Sequence, residues 1–155
     1  MYTSAVATPD DDTMRAWSAL LVAHRRTTTA LDAELRQGCD LSLDDYDVLY
    51  QLRRAGGAAR MSDLAEQVLI TRPTTTRVVD RLVERGWIVR HRDGSDRRVV
   101  RVELTDEGRQ VQRRAARLHL DGIARLVERR LSRVQLDALA DALEVLATPE
   151  AAGPP

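Results

Sequence analysis

The apolar positions near the start of the chain recur at helical spacing. Between about 13 and 37 they return every three or four residues, which predicts a long amphipathic helix. This stripe consists of Trp17, Leu21, His24, Thr28, Leu31 and Leu35. Gly38 follows, and we expect it to end the helix as a left-handed cap. A helix of this length stands out from a small domain unless another element covers it.

Three shorter helices are predicted next. Ser42 is an expected N-cap for the first, which ends at the glycine pair 56–57. Its apolar positions are Tyr46, Leu49 and Leu52. Ser62 and Asp63 open the second, whose inward positions are Leu64, Ala65 and Val68.

The third short helix is predicted over 71–86, with Thr71 as its cap and Gly86 as its end. Pro73 lies in the first turn, where a missing N–H costs nothing. Its buried side is predicted to hold Thr75, Val78, Val79 and Leu82. Two short helices separated by about three residues, the second rich in Arg and Thr, are typical of a helix-turn-helix.

After Gly86 the pattern changes from helical to alternating. It predicts two strands, over 87–92 and 98–104, with a turn by composition at 93–96. Val100, Val102 and Leu104 share one face of the second strand. The hairpin over 87–104 is therefore a candidate wing.

Two more helices follow the hairpin. Thr105 and the acids after it open a long one, because negative charge suits a helix N-terminus. Its stripe is Val111, Ala115, Leu118, Gly122 and Leu126. Ser132 and Gln135 form a capping box for the last helix. The apolar positions of that helix are Leu136, Leu139, Leu143 and Leu146.

This order predicts a mainly α fold with a small β-hairpin wing, an α+β class, in a single domain over 1–155. A winged helix-turn-helix lobe over 42–104 is flanked by helices at 13–37 and 105–147, with flexible ends at 1–12 and 148–155. The terminal helices are amphipathic but have little beside them in one subunit, so pairing with a second copy is the simplest burial. A symmetric dimer would place two recognition helices about 34 Å apart on palindromic double-stranded DNA.

Charge and composition narrow the function. The formal net charge is zero, yet residues 72–101 hold nine arginines against four acids, which is the footprint of a localised phosphate-binding surface. No apolar run approaches the roughly 20 residues of a membrane span, and no signal peptide is visible. A single cysteine agrees with a reducing compartment, so we expect a cytoplasmic protein.

No arrangement typical of an enzyme is present. The sequence has no P-loop, no G-x-G-x-x-G after a strand, no G-x-S-x-G and no H-E-x-x-H. His24, His91 and His119 have no partner at ligand spacing, so we expect neither a metal site nor a cofactor.

Three segments of the chain resemble the MarR family of bacterial regulators. They are LSLDDYDVL, MSDLAEQVLITRPTTTRVVDRLVERGWIVR and DGSDRRVVRVELTDEG, and the resemblance runs over nearly the whole chain. The most specific features are Asp-Arg-Leu late in the capped helix, the Gly-Trp exit, Asp-Arg-Arg in the wing, and Leu-Thr-x-x-Gly. The glycine that many helix-turn-helix motifs place in the turn is absent, because Leu69 and Ile70 stand there.

The resemblance implies a homodimer joined by its N- and C-terminal helices. It also implies repression, or sometimes activation, that a small ligand or oxidation relieves. We therefore expect a sequence-specific DNA-binding transcriptional regulator, a repressor of a nearby operon modulated by a small ligand. The alternative is a winged-helix module that binds protein without selective DNA binding.

The recognition helix supplies the predicted major-groove residues. They are Arg72, Pro73, Thr74, Thr76, Arg77 and Arg81. Arg77 can pair with guanine or hold a phosphate, and the threonines can reach phosphates or a thymine methyl. In the family, positions matching Pro73, Thr74 and Arg77 look like the usual contacts. The alternative is a solvated face in which Arg77 pairs with Asp80.

The wing supplies Asp96, Arg97 and Arg98. Asp96 can brace Arg98 for a narrow A·T-rich minor groove while Arg97 faces a phosphate, or the ion pair only stiffens the hairpin. Arg90 and Arg101 are equally compatible with phosphate contact and intramolecular pairing.

A ligand cavity and a redox site are the remaining hypotheses. Trp17, His24 and Tyr46 could line a cavity for the small aromatic acids and phenols that the family's ligands resemble, or simply pack in the core. Some relatives sense peroxide through a cysteine, but Cys39 follows the first helix rather than opening it. A small packing residue is therefore the favoured interpretation of Cys39.

Overall fold

The computed structural model describes residues 8–92 and 99–149, and its elements follow the predicted order. They are α1 (Asp11–Cys39), α2 (Leu43–Arg54), β1 (Ala58–Arg60), α3 (Met61–Gln67), α4 (Arg72–Glu84), β2 (Ile88–Arg92), β3 (Val100–Leu104), α5 (Asp106–Ile123) and α6 (Arg133–Ala147). A π-helical turn, Ala124–Glu128, extends α5. The fold class is confirmed, since the described chain is mainly helical with one small sheet.

The prediction that Gly38 ends the first helix is wrong. The helix continues through it, and the left-handed residue is Asp40, with a φ of 54° and its N–H bonded to the Arg36 carbonyl. Gly38 instead faces α5, where a β-carbon would lie 2.5 Å from Leu118 Cδ1. Cys39 is the last residue of α1 rather than a loop residue, and it is buried in the core.

The turn between α1 and α2 and the first residues of α2, together residues 40–45, are held by side chains on both sides; we call this segment the α1–α2 corner. The Leu43 N–H donates to Asp32 Oδ1 at 2.8 Å, which ties α2 to α1. Ser42 is the predicted N-cap and accepts from the Asp45 N–H, while Asp45 Oδ2 accepts from the Ser42 N–H at 2.8 Å. This reciprocal capping box fixes the direction in which α2 leaves the corner.

The sheet contains one strand more than predicted. Its order is β1-β3-β2, antiparallel throughout, so β1 pairs on the free side of the wing. With three residues after a glycine pair, β1 is too short to show an alternating pattern. The prediction that Ser62 and Asp63 open α3 is also corrected: the helix begins at Met61, and the Ser62 hydroxyl donates to Asp63.

Two of the quoted motifs form a single packing unit. Gly86, with a φ of +73°, ends α4, and its carbonyl accepts from the Thr105 hydroxyl at 2.8 Å. The Thr105 N–H donates to the Trp87 carbonyl, and its hydroxyl caps the Gly108 N–H at 3.0 Å. At Gly108 a β-carbon would lie 2.0 Å from the Trp87 carbonyl oxygen. The Gly-Trp exit and the Leu-Thr-x-x-Gly start of α5 therefore require each other.

The outer helices are less covered than the lobe. The predicted capping box of α6 is confirmed, because Ser132 and Gln135 exchange two hydrogen bonds. No residue of α6 is buried among the described residues, although the helix is amphipathic. Within the described ranges, no helix has the length and hydropathy of a membrane span.

Gly108→Ala should destabilise the protein by about 3 kcal/mol, because the added methyl group meets a backbone carbonyl that cannot move aside. Gly38→Ala is the matched control, since its methyl group meets only the end of the flexible Leu118 side chain. Urea denaturation followed by circular dichroism measures both. Equal stabilities of the two variants would contradict the packing assigned to Gly108.

Asp32→Asn should lower stability by about 1–2 kcal/mol at pH 7. Partial burial raises the pKa of Asp32, but the hydrogen bonds from Arg36 and the Leu43 N–H outweigh burial, so its pKa lies below the usual 3.8. Because the pKa is lowered in the folded state, the ionised carboxylate stabilises the fold above about pH 4. This stabilisation is lost as the pH falls through the pKa of the folded state.

The stability gap between the wild type and Asp32→Asn should therefore close on acidification below about pH 4. Asp12→Asn serves as the control, since the Asp12 pair with Arg15 is exposed on both sides and should show almost no gap. A gap for Asp32→Asn that stays constant in urea titrations from pH 7 to pH 3 would contradict the role of its carboxylate.

Candidate nucleic-acid interface

One side of α4 is fixed in the core of the lobe. Thr75, Val78, Val79 and Leu82 are buried as predicted. The buried Thr75 hydroxyl is satisfied, since it donates to the Thr71 carbonyl at 3.0 Å. A helix held along this face must present its opposite face outward.

The first turn of α4 lies at the surface. Arg72 pairs with Glu66 of α3 at 2.9 Å, and both side chains are mostly exposed. Pro73 is exposed in the first turn, as expected. Thr71 has the backbone geometry of a cap, but its hydroxyl bonds the Thr74 hydroxyl at 2.9 Å instead of a backbone N–H. The Thr76 hydroxyl donates to the Arg72 carbonyl.

Arg77 is exposed, and no residue in the described part of the chain pairs with it. The alternative partner, Asp80, is occupied by Arg90 of β2 at 2.8 Å. This ion pair settles the ambiguity of Arg90 in favour of intramolecular pairing and ties the wing to α4. It also leaves the guanidinium of Arg77 free to bind a group from outside.

The prediction that Arg81 faces the major groove is corrected. Its Nε donates to Asp45 Oδ1 at 3.1 Å, and its Nη2 contacts the same oxygen. Only 5% of the Asp45 side-chain surface is exposed, so this carboxylate needs a close cation. Arg81 is 46% exposed, but its guanidinium is held by α2, because leaving Asp45 would strand a buried charge.

Arg85 has a structural contact that the sequence did not reveal. It donates to the Asp40 carbonyl and to Asp40 Oδ2, both at 2.6 Å. Its guanidinium lies 3.8 Å from the centre of the Trp87 ring, a cation–π distance. In the sequence, this contact is indicated only by the spacing of four residues from Arg81, which places both arginines on one side of the helix.

A cleft of about 400 Å³ opens beside α4, between α3 and the base of the wing. Its lining residues are Arg60, Met61, Ser62, Thr76, Arg90, Val99 and Val100. Arg60, Ser62 and Thr76 give this lining donors suited to an anion, whereas Arg90 is already paired with Asp80. Arg60 and Ser62 were not among the predicted site residues. The wing residues Asp96, Arg97 and Arg98 lie outside the described residues.

The structure does not bring the predicted ligand-cavity residues together. Tyr46 is buried, with its ring centre 4.5 Å from that of His119. Trp17 is 53% exposed on α1, and His24 is exposed as well. Trp17 and His24 lie on the exposed N-terminal part of α1, whereas Tyr46 of α2 packs against α5. The cavity prediction is therefore corrected to core packing for Tyr46.

His119 is a partly buried base in this contact. Burial lowers its pKa, which the nearby Asp47 carboxylate partly offsets, so the neutral imidazole is favoured. Its Nδ1 has no hydrogen-bond partner among the described residues. Burial likewise raises the pKa of the Tyr46 hydroxyl. Across 8–92 and 99–149, no cluster of three or more potential metal ligands occurs.

Sequence comparisons find known regulators that are similar to this lobe. Residues 41–100 match the family described as MarR. The regulator PecS of Dickeya dadantii is 40% identical over 70 residues, which cover 44% of this chain and 42% of PecS. The uncharacterised regulator YpoP of Bacillus subtilis is 32% identical over 72 residues, or 46% of this chain and 50% of YpoP. The alignments thus span half or less of these relatives' length.

Solved structures match nearly the whole chain. The first is Sco3205 of Streptomyces coelicolor, a MarR family transcriptional regulator crystallised with DNA. It is 28% identical with a TM-score of 0.87, covering 96% of this chain and 95% of Sco3205. AbsC from the same organism is 28% identical with a TM-score of 0.83, covering 92% and 96%. The helix-turn-helix lobe thus matches the MarR family in sequence, and the wider fold is similar to solved structures of MarR family regulators.

Proposed function

We propose that this protein is a homodimeric, sequence-specific DNA-binding regulator of transcription. The observation that carries this proposal is the exposed Arg77, which pairs with none of the described residues, on a helix whose other face is fixed in the core. Arg72, Pro73, Thr74 and Thr76 lie on the turns before it. Guanidinium can pair with guanine O6 and N7, and the hydroxyls can bind phosphates.

The distribution of arginines supports a surface that binds DNA on one side only. Arg81, Arg85 and Arg90 are engaged by carboxylates of the protein itself. These three are therefore committed within the protein, whereas the exposed Arg77 of α4 and Arg60 of the cleft beside it pair with no residue in the described ranges. Wing contacts by Arg97 and Arg98, braced by Asp96, remain part of the proposal. Binding should weaken steeply with salt, because phosphate contacts release counterions.

A second copy of the chain is the proposed cover for the outer helices. Their exposed large apolar residues are Met14, Trp17, Leu21 and Val22 of α1, Leu120 and Ile123 of α5, and Val134, Leu139, Leu143, Val145 and Leu146 of α6. Large exposed apolar side chains grouped on these three helices favour a protein–protein interface. Twofold pairing would bury it and would present two copies of α4 to a palindrome.

Regulation is the finer part of the proposal. Similarity to the MarR family supports a repressor of a nearby operon, working in the cytoplasm, whose DNA binding a small ligand relieves. Aromatic acids and phenols are the first ligands to test, without a site assigned to them. Gel shifts on the DNA flanking the protein's own gene, repeated with such a panel and with an oxidant, test this part directly.

Arg77→Ala should weaken binding to the preferred duplex by about 1–3 kcal/mol, or roughly 5- to 150-fold, and flatten the preference among related sites. The physical reason is the loss of the base-reading guanidinium. Fluorescence anisotropy on a palindrome selected by the wild type from a randomised library measures both quantities. Arg54→Ala is the control, because it removes an equal charge from α2.

A folded, dimeric Arg77→Ala protein with wild-type selectivity would refute the assignment of Arg77. A wild type that enriches no duplex at all would instead favour a winged-helix module that binds protein.

Leu143→Glu should convert the protein to a monomer, because a carboxylate would enter the proposed apolar interface on α6. Affinity for the palindrome should then fall towards that for a single half-site. Light scattering coupled to size-exclusion chromatography gives the mass. Glu144→Gln, on the neighbouring exposed position, should remain a dimer. A dimeric Leu143→Glu protein would show that α6 lies outside the interface.

A further inference from the structure

Two arginines at the C-terminal end of α4 connect this helix to the α1–α2 corner. Arg81 and Arg85 are four residues apart, so they occupy neighbouring positions on one side of the helix. Their partners, Asp45 and Asp40, both belong to the corner. Helix α4 is thus held along its middle by the core and at its end by two ion pairs.

The Asp45 carboxylate divides its two oxygens between the two structures that it joins. Oδ1 accepts from Arg81, and Oδ2 accepts from the Ser42 N–H at 2.8 Å. Because the group is almost fully buried, it depends on these two donors rather than on water for its hydrogen bonds. Any movement of α4 away from the corner therefore breaks a contact that water does not replace easily.

Arg85 holds a point of the corner that is itself fixed. Asp40 adopts the left-handed conformation that ends α1, and its N–H is bonded to the Arg36 carbonyl at 3.0 Å. The Arg85 fork takes both the carbonyl and the carboxylate of Asp40 while stacking on Trp87. The corner is in turn tied to α1 through Asp32 and the Leu43 N–H.

We propose that Arg81 and Arg85 are positioning residues that fix the direction of α4 relative to α1, and thereby set the half-site spacing that the dimer accepts. This inference rests on the proposed function. Two anchors about 6 Å apart along a helix fix its tilt as well as its position. Helix α1, at the other side of the corner, carries part of the proposed dimer surface.

The geometry amplifies small changes at the anchors. From Arg81 to Arg72 the helix runs nine residues, or about 13 Å at 1.5 Å each. With its end released, the helix would pivot about its core-held middle near Val78, about 9 Å from Arg72, so a tilt of about 15° would move the DNA-reading end by about 2 Å. Twofold symmetry doubles this to about 4 Å, which exceeds the roughly 3.4 Å rise of one base pair. Loosened anchors should therefore admit half-sites that are one base pair too close or too far apart.

The test uses the full-length protein and the wild-type-selected palindrome, with its centre shortened or lengthened by one and two base pairs. We expect the wild type to bind the one-base-pair variants at least about tenfold more weakly than the optimum. Arg81→Met should lower this ratio to about threefold or less, since α4 can then tilt. Arg54→Met, which removes the same charge elsewhere on the lobe, should keep the wild-type ratio.

Asp45→Asn provides a second variant in case Arg81→Met does not fold. The amide oxygen still accepts from the Ser42 N–H, but the charge that holds Arg81 is gone. Its spacing ratio should fall like that of Arg81→Met. The double variant should fall no further than either single one, because both remove the same contact.

The outcomes distinguish a failure of the positioning role from a failure of the proposed DNA-binding function. If the wild type enriches no duplex, the proposed function fails. If the wild type has a sharp spacing optimum and the folded, dimeric variants keep it, only the positioning role is overturned. A uniform loss at every spacing also overturns it, since that result would mean that Arg81 acts through its charge alone.

Discussion

The buried face of α4 is the constraint on which the rest of the molecule depends. Thr75, Val78 and Leu82 lock the helix into the lobe, and the Thr75 hydroxyl is satisfied by the turn before it. Once that face is fixed, every other side chain of the helix has its direction decided. Arg77 is directed outward, whereas Arg81, one turn later and displaced around the axis, meets Asp45. The packing of this one face therefore gives Arg77 and Arg81 different roles, Arg77 at the surface and Arg81 in a structural contact.

The partners of these arginines follow from the cost of burying charge. Asp45 is buried because it caps α2, and a buried carboxylate without a cation is strongly destabilising. Asp80 is half-exposed, so its pair with Arg90 contributes less energy but still holds β2 against α4. The arginines at the C-terminal end of α4 are consequently bound to carboxylates of the protein, whereas Arg77 nearer its N-terminus is available to an outside group. A net count of arginines over 72–101 overstates the charge available to a ligand.

Sequence periodicity predicted the helices, the buried face of α4 and the wing strands, because these depend on neighbours within one or two turns. It could not predict contacts made across the fold. Arg81 meets a carboxylate 36 residues away, and nothing in the local pattern distinguishes it from Arg77. Gly38 was interpreted as a cap from its residue type alone, whereas its reason is the close approach of Leu118 on α5. The three-residue strand β1 exists only because β3 lies beside it.

The two halves of α1 differ in burial: the C-terminal half packs in the core of the lobe, whereas the N-terminal half leaves apolar side chains uncovered in a single subunit. Its C-terminal half contributes Leu31, Leu35 and Cys39 to the buried core, and the corner that follows is bonded to α4. Its N-terminal half exposes Trp17 and Leu21 instead. A continuous helix of 29 residues is about 43 Å long and resists bending. The α1 part of the proposed dimer surface and the corner that binds Arg81 and Arg85 therefore lie at opposite ends of one stiff helix. The contacts that pair two copies of α1 would consequently also set the positions of the two copies of Arg77.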